Sequence, residues 1–97
     1  MKKIRVGVAG YGTIGQRLAD GVALQEDMEL VGIADLAPTL SLQALRENDM
    51  IGANGVEYKL YLVEGADPAA FAAKHIPVAG SFEDLCRSVD IMLDSSP

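Results

Sequence analysis

Apolar residues recur along this chain with two different periods. Ile4, Val6 and Val8 share one face of a predicted strand over Ile4 to Ala9, while Arg5, Gly7 and Ala9 share the other. Small or apolar groups on both faces suit an inner strand of a parallel sheet. The period then lengthens: Ile14, Leu18 and Val22 fall at i, i+4 and i+8 and predict a helix with one apolar stripe, leaving Gln16, Arg17 and Asp20 to solvent. Glu26, Asp27 and Met28 mark the turn out of it, and Leu30 to Ala34 reads as a second buried strand ending at Asp35. Strand, helix and strand in this length make a βαβ unit with a right-handed crossover.

Beyond Pro38 the elements shorten. Leu40, Leu42, Ala44 and Leu45 predict a brief helix capped by Thr39 or Ser41, and Lys59 to Val63 a third strand. Between them, Asn48 to Glu57 has no clear period, and Asn54-Gly55 signals either a small hairpin or a surface turn. Asp67 before Pro68 is a helix start, because the carboxylate accepts an orphan N–H and proline at the first position has none to lose. That helix is expected to run to Lys74 or His75, with a short extended segment over Ile76 to Ala79. Ser81 and Asp84 have the spacing of a capping box opening a helix with Phe82, Leu85 and Val89 inward, and Ile91 to Leu93 makes a last strand.

One stretch in this pattern carries chemistry. Val6 to Gly15 reads VGVAGYGTIG, placing Gly10, Gly12 and Gly15 between a strand and a helix. A dinucleotide pyrophosphate needs this arrangement: Gly10 for the tight turn, Gly12 for close approach of backbone to phosphate, and Gly15 for close packing of the helix. Thr13 and Ile14 offer N–H groups at the helix start, the Thr13 hydroxyl adds a donor, and Tyr11 is expected to cover the loop. Asp35, at the end of the second strand, is placed to accept from adenosine ribose hydroxyls and to repel a 2′-phosphate. No Lys or Arg lies between Asp35 and Arg46 to offset its charge, so NAD is favoured over NADP. Ser96 follows the last strand where a cofactor-facing loop would begin, and joins the cofactor-binding set.

The pattern describes an α/β chain, the first mononucleotide-binding half of a doubly wound Rossmann sheet. About four parallel strands in the order 3-2-1-4, with helices on both faces, are expected. At 97 residues there is room for one small domain but not for a complete two-domain enzyme. Residues 1–97 therefore read as a single incomplete NAD(P)-binding domain without its catalytic domain. With 49% hydrophobic and 23% charged residues the chain is globular, and a net charge of -6 disfavours nucleic acid and anionic lipid as partners. No apolar run reaches membrane-span length, and a single cysteine, Cys86, points to the reducing cytosol. Cys86 reads as a buried structural residue. His75 at a helix end, and Asp67, Glu83 and Asp84 at helix starts, read as structural. Neither a metal site nor a catalytic residue is expected.

VGVAGYGTIGQRLAD followed by LQEDMELVGIAD resembles the start of the archaeal-type (type II) glyceraldehyde-3-phosphate dehydrogenases, and IPVAGSFEDLCRSVDIMLDSSP resembles their run into the fourth strand. The segment from Pro38 to Ala72 matches less well. The resemblance implies a cytoplasmic glycolytic enzyme that oxidises and phosphorylates an aldehyde through a cysteine thiohemiacetal and passes hydride to a nicotinamide cofactor. It also implies a homo-oligomer, usually a tetramer. Thr13 and Ile14 match the family's cofactor-contacting positions. The family's nucleophilic cysteine belongs to a motif beyond residue 97, and Cys86 does not match it, so this chain alone is expected to be inactive. Many members carry a Thr-Lys sequence where Asp35 stands and accept or prefer NADP. The alternatives are a segment of a dihydrodipicolinate-reductase-like or homoserine-dehydrogenase-like protein, or a non-catalytic nucleotide-binding module.

Overall fold

The first strand, β1 (Ile4–Ala9), is buried from Val6 onward because it has a neighbour on each side. A computed structural model describes residues 2–95 and arranges five parallel strands in the order β4-β3-β2-β1-β5. The others are β2 (Met28–Asp35), β3 (Leu60–Leu62), β4 (Gly80–Ser81) and β5 (Ile91–Asp94). The four longer strands stand in the expected order. The fifth is the two-residue β4, which pairs Gly80 with Tyr61 and Ser81 with Leu62. The extended segment expected over Ile76 to Ala79 thus joins the sheet only at its end, where the Ala79 N–H donates to the Leu60 carbonyl.

Four helices connect the strands: α1 (Thr13–Ala23), α2 (Leu40–Glu47), α3 (Pro68–Ala73) and α4 (Phe82–Ser88). Side chains alternate across a strand, and this separates the layers. Val6 and Val8 belong to a core with Ala19 and Val22 of α1, Leu42 and Leu45 of α2, and Phe71 of α3. On the opposite face, the direction of a Cβ on Gly7 leads to Leu85 of α4 and Met92. Successive right-handed crossovers put α1 to α3 on one face, and the jump back across β1 to β5 puts α4 on the other. That jump is the topological switch, at the carboxyl ends of β1 and β5.

The inner face of α1 is Gly15, Ala19, Val22 and Ala23, whereas Ile14 is 65% exposed. The expected stripe through Ile14 is therefore rotated by one residue, because a helix seated this close to the sheet presents its small side chains inward. Asp20 is half-buried rather than solvated. Cys86 is exposed, contrary to its reading as a buried residue, because Leu85 alone of α4 points fully into the sheet. Asp67 and Ser81 cap α3 and α4 as expected, the latter with a complete capping box, and Thr39 caps α2.

Asn48 to Glu57 closes on itself. Ile51 and Glu57 form an antiparallel bridge around a 3-10 turn at Ala53–Gly55, and the Gly52 N–H donates to the Val56 carbonyl. The turn delivers Tyr58 to the core with no exposed surface, and Met50 beside it is buried at a positive φ of 62°.

Candidate functional site

Gly10 leaves β1 at φ 88°, a left-handed conformation that glycine adopts without strain, and its N–H donates to the Ala34 carbonyl of β2 at 2.7 Å. A Cβ on Gly15 would lie 1.7 Å from the Gly10 carbonyl oxygen, so the first turn of α1 rests directly on the loop. Gly12 differs from both. A Cβ there would meet nothing within 4 Å, so packing within the chain does not require its glycine. Gly12 caps α1 without a side-chain hydrogen bond, and the first helical acceptance is from Gln16 N–H at 2.9 Å. The N–H groups of Thr13, Ile14 and Gly15 therefore have no acceptor within the helix, and they carry the positive end of its dipole.

Tyr11 is a core residue at 2% exposure rather than a cover over the loop. Its ring meets Tyr58 edge-on, with centroids 6.3 Å apart at 82°. The Tyr58 hydroxyl donates to Asp20 Oδ1 at 2.7 Å and accepts from the Ala53 N–H at 2.9 Å. Burial, reinforced by the Asp20 charge, pushes the Tyr11 phenol up to about 12. Burial and then the bond to Asp20 raise Tyr58 further. Both are neutral at ordinary pH, so the Tyr58 hydroxyl keeps its proton to donate to the half-buried Asp20.

Asp35 is engaged by the backbone. Oδ2 accepts from the Tyr11 N–H at 2.7 Å, and Oδ1 accepts from Leu36 N–H at 2.7 Å and Ala37 N–H at 3.4 Å. The Thr39 hydroxyl donates to the Tyr11 carbonyl at 2.9 Å. The Ser95 hydroxyl reaches the Ala9 and Gly10 carbonyls at 3.0 and 2.8 Å, and its N–H donates to Ala9 at 2.8 Å. Ser96, the residue expected here, lies outside the described residues. Ser95 was missed, although the switch between β1 and β5 is the signal that locates it.

These groups surround a cleft of about 660 Å³ at the carboxyl ends of the strands, against about 310 Å³ for the cleft beside Arg46 and His75. Gly10, Tyr11, Gly12, Asp35 and Thr39 form its polar side, and Leu36, Val63 and Phe82 supply apolar wall that the sequence did not mark. The structure thus brings Gly10, Tyr11, Gly12 and Asp35 together as expected. Thr13 and Ile14 stand exposed at the head of α1, and Gly15 is buried behind the loop. His75 lies two residues beyond α3 at φ 58°, its carbonyl accepting from Arg46 Nε at 3.2 Å, away from the cleft.

No family model matches the chain. Individual relatives do. The chain is 40% identical over 98 residues to the glyceraldehyde-3-phosphate dehydrogenase of Sulfolobus acidocaldarius, covering 100% of this chain and 26% of that protein. The enzyme of the same name from Pyrobaculum calidifontis is 42% identical over 95 residues, 97% of this chain and 25% of that protein. The chain is homologous to the N-terminal region of archaeal glyceraldehyde-3-phosphate dehydrogenases. A third such dehydrogenase, from Methanoregula boonei, is 36% identical over 94 residues, 97% of the chain and 25% of that protein. The similarity runs through the segment from Pro38 to Ala72, which carries less resemblance by motif. The chain spans about a quarter of the length of these dehydrogenases. No helix among the described residues is long and apolar enough to cross a membrane.

Proposed function

We propose that this chain is the NAD-binding segment of a phosphorylating glyceraldehyde-3-phosphate dehydrogenase. The observation that carries this reading is Gly12, a glycine on the cleft wall that internal packing leaves open, at the head of a helix whose first-turn N–H groups have no helical acceptors. Backbone of this kind fits a pyrophosphate, and Leu36, Val63 and Phe82 fit the apolar faces of a nucleoside. When bound, the dinucleotide supplies the hydride acceptor. The residues of this chain hold and orient it, and the remainder of the parent enzyme supplies the nucleophile and the substrate site. Asp35 contributes negative charge on the cleft wall with no Lys or Arg before Arg46, which favours NAD over NADP.

Calorimetric titration with NAD, NADP and ADP-ribose tests the reading. NAD and ADP-ribose are expected to bind, with NAD at least about tenfold tighter than NADP. Gly12→Val should abolish binding and leave circular dichroism unchanged, because the side chain enters open space. A folded chain that binds none of the three would refute the proposal; tighter NADP than NAD would refute the role of Asp35.

A further inference from the structure

We propose that Asp35 and Thr39 form a clamp on Tyr11 that presets the glycine turn for a diphosphate, so that Asp35 governs ligand affinity through the loop as well as through its charge. The inference rests on the cleft being a dinucleotide site. Tyr11 stands between Gly10 and Gly12, the two residues of the loop with the widest backbone freedom. Left alone, such a turn would sample many conformations, and a ligand would lose affinity in ordering them.

Two side chains that grip Tyr11 remove that freedom together with Ser95, whose hydroxyl holds the Gly10 carbonyl at 2.8 Å. Asp35 Oδ2 holds the N–H of the Gly10–Tyr11 peptide at 2.7 Å, and the Thr39 hydroxyl holds the carbonyl of the Tyr11–Gly12 peptide at 2.9 Å. Consecutive peptide units are thus each gripped by a side chain. Both grips stand on rigid supports. Asp35 ends β2, and its other oxygen is fixed by the Leu36 and Ala37 N–H groups. Thr39 caps α2, accepting from Leu42 N–H at 3.2 Å while donating to Tyr11. The buried Tyr11 ring against Tyr58 keeps the residue between them from turning.

The test separates a clamp from a ribose contact by using a probe without ribose. An asparagine has one acceptor oxygen, so Asp35→Asn cannot serve both the Tyr11 and the Leu36 N–H groups. Asp35→Asn is expected to weaken NAD and inorganic pyrophosphate alike by about tenfold each. Hydrogen exchange at the Tyr11 amide of the ligand-free chain should accelerate by about tenfold, with Ala19 and Val22 of α1 unchanged. Thr39→Val should act in the same direction and Thr39→Ser should restore the parent values, and the two losses should combine less than additively because both act on one turn. Weaker NAD with unchanged pyrophosphate affinity would overturn the clamp and leave Asp35 a ribose ligand. If the unsubstituted chain binds neither probe, the dinucleotide reading fails, and unchanged exchange in Asp35→Asn overturns the clamp independently of any ligand.

Discussion

The three glycines of the loop carry different obligations, and their substitutions should separate accordingly. Gly15→Ala places a methyl group 1.7 Å from a backbone oxygen and 2.8 Å from Ser95 Oγ, so α1 must lift from the loop. The expected loss is about 3 kcal/mol or more, a thermal midpoint lower by about 12 °C or more in a chain of this size. Gly12→Ala meets nothing and should lower the midpoint by only about 2 to 6 °C, the cost of a poorer N-cap. Differential scanning calorimetry of the two variants checks both numbers. Their shared spacing is legible in the sequence, but the division of labour between an internal contact and an open surface is not, because it depends on where Ser95 and the cleft fall.

At the scale of elements, local signals were reliable where the partner lies within one turn. Asp67, Thr39 and Ser81 cap their helices because a short side chain needs only the N–H two or three residues ahead. Ser81→Ala should lower stability by about 1 kcal/mol at neutral pH. The box also has a pH signature. Asp84 is held below its ordinary 3.8 by the Ser81 backbone N–H, then by the Ser81 hydroxyl. Asp90 is lowered by the Arg5 backbone N–H at 2.9 Å, then by the Arg5 side chain. A depressed carboxylate stabilises the fold above its unfolded value and loses that contribution as pH falls through its folded value. Thermal midpoints should therefore drop on acidification below about pH 4, and the drop should shrink in Asp84→Ala. Helix faces were read less well than helix ends. Ile14 is exposed and Cys86 lies at the surface, because a period of 3.6 fixes the relative positions of side chains but leaves the rotation of the helix to its neighbours.

The whole molecule joins distant segments through a few buried groups. Tyr58 joins α1 and the Asn48 to Glu57 segment at its hydroxyl and the loop at its ring, and no local pattern announces this because Asp20 and Tyr11 lie far away in the chain. Tyr58→Phe strands both partners and should cost about 1 to 3 kcal/mol by denaturant unfolding. A phenol with a raised folded value stabilises the fold below its unfolded value of 10.0 and loses that contribution as pH rises through the folded one. The steeper loss of the parent above about pH 10 should therefore be milder in the variant. The sheet ends in two unlike edges. β4 is too short to recruit a strand, whereas β5 pairs only with β1 among the described residues and leaves Ile91 44% exposed. Concentration-dependent association is expected in sedimentation velocity, and Ile91→Lys should suppress it.

The order of the four longer strands, the caps and the glycine turn follow from the sequence itself, since each depends on spacing within a few residues or on the fixed handedness of βαβ crossovers. Two strong local periods around VGVAGYGTIG were enough to predict the doubly wound sheet. Tertiary structure alone decided that Tyr11 is core rather than cover, that Ser95 reaches the loop, and that the Asp35 carboxylate is already held by backbone N–H groups. The physical reason is that hydrogen bonds across the fold are set by which chain ends meet above the sheet. Sequence placed Asp35 beside the site; packing turned it toward Tyr11.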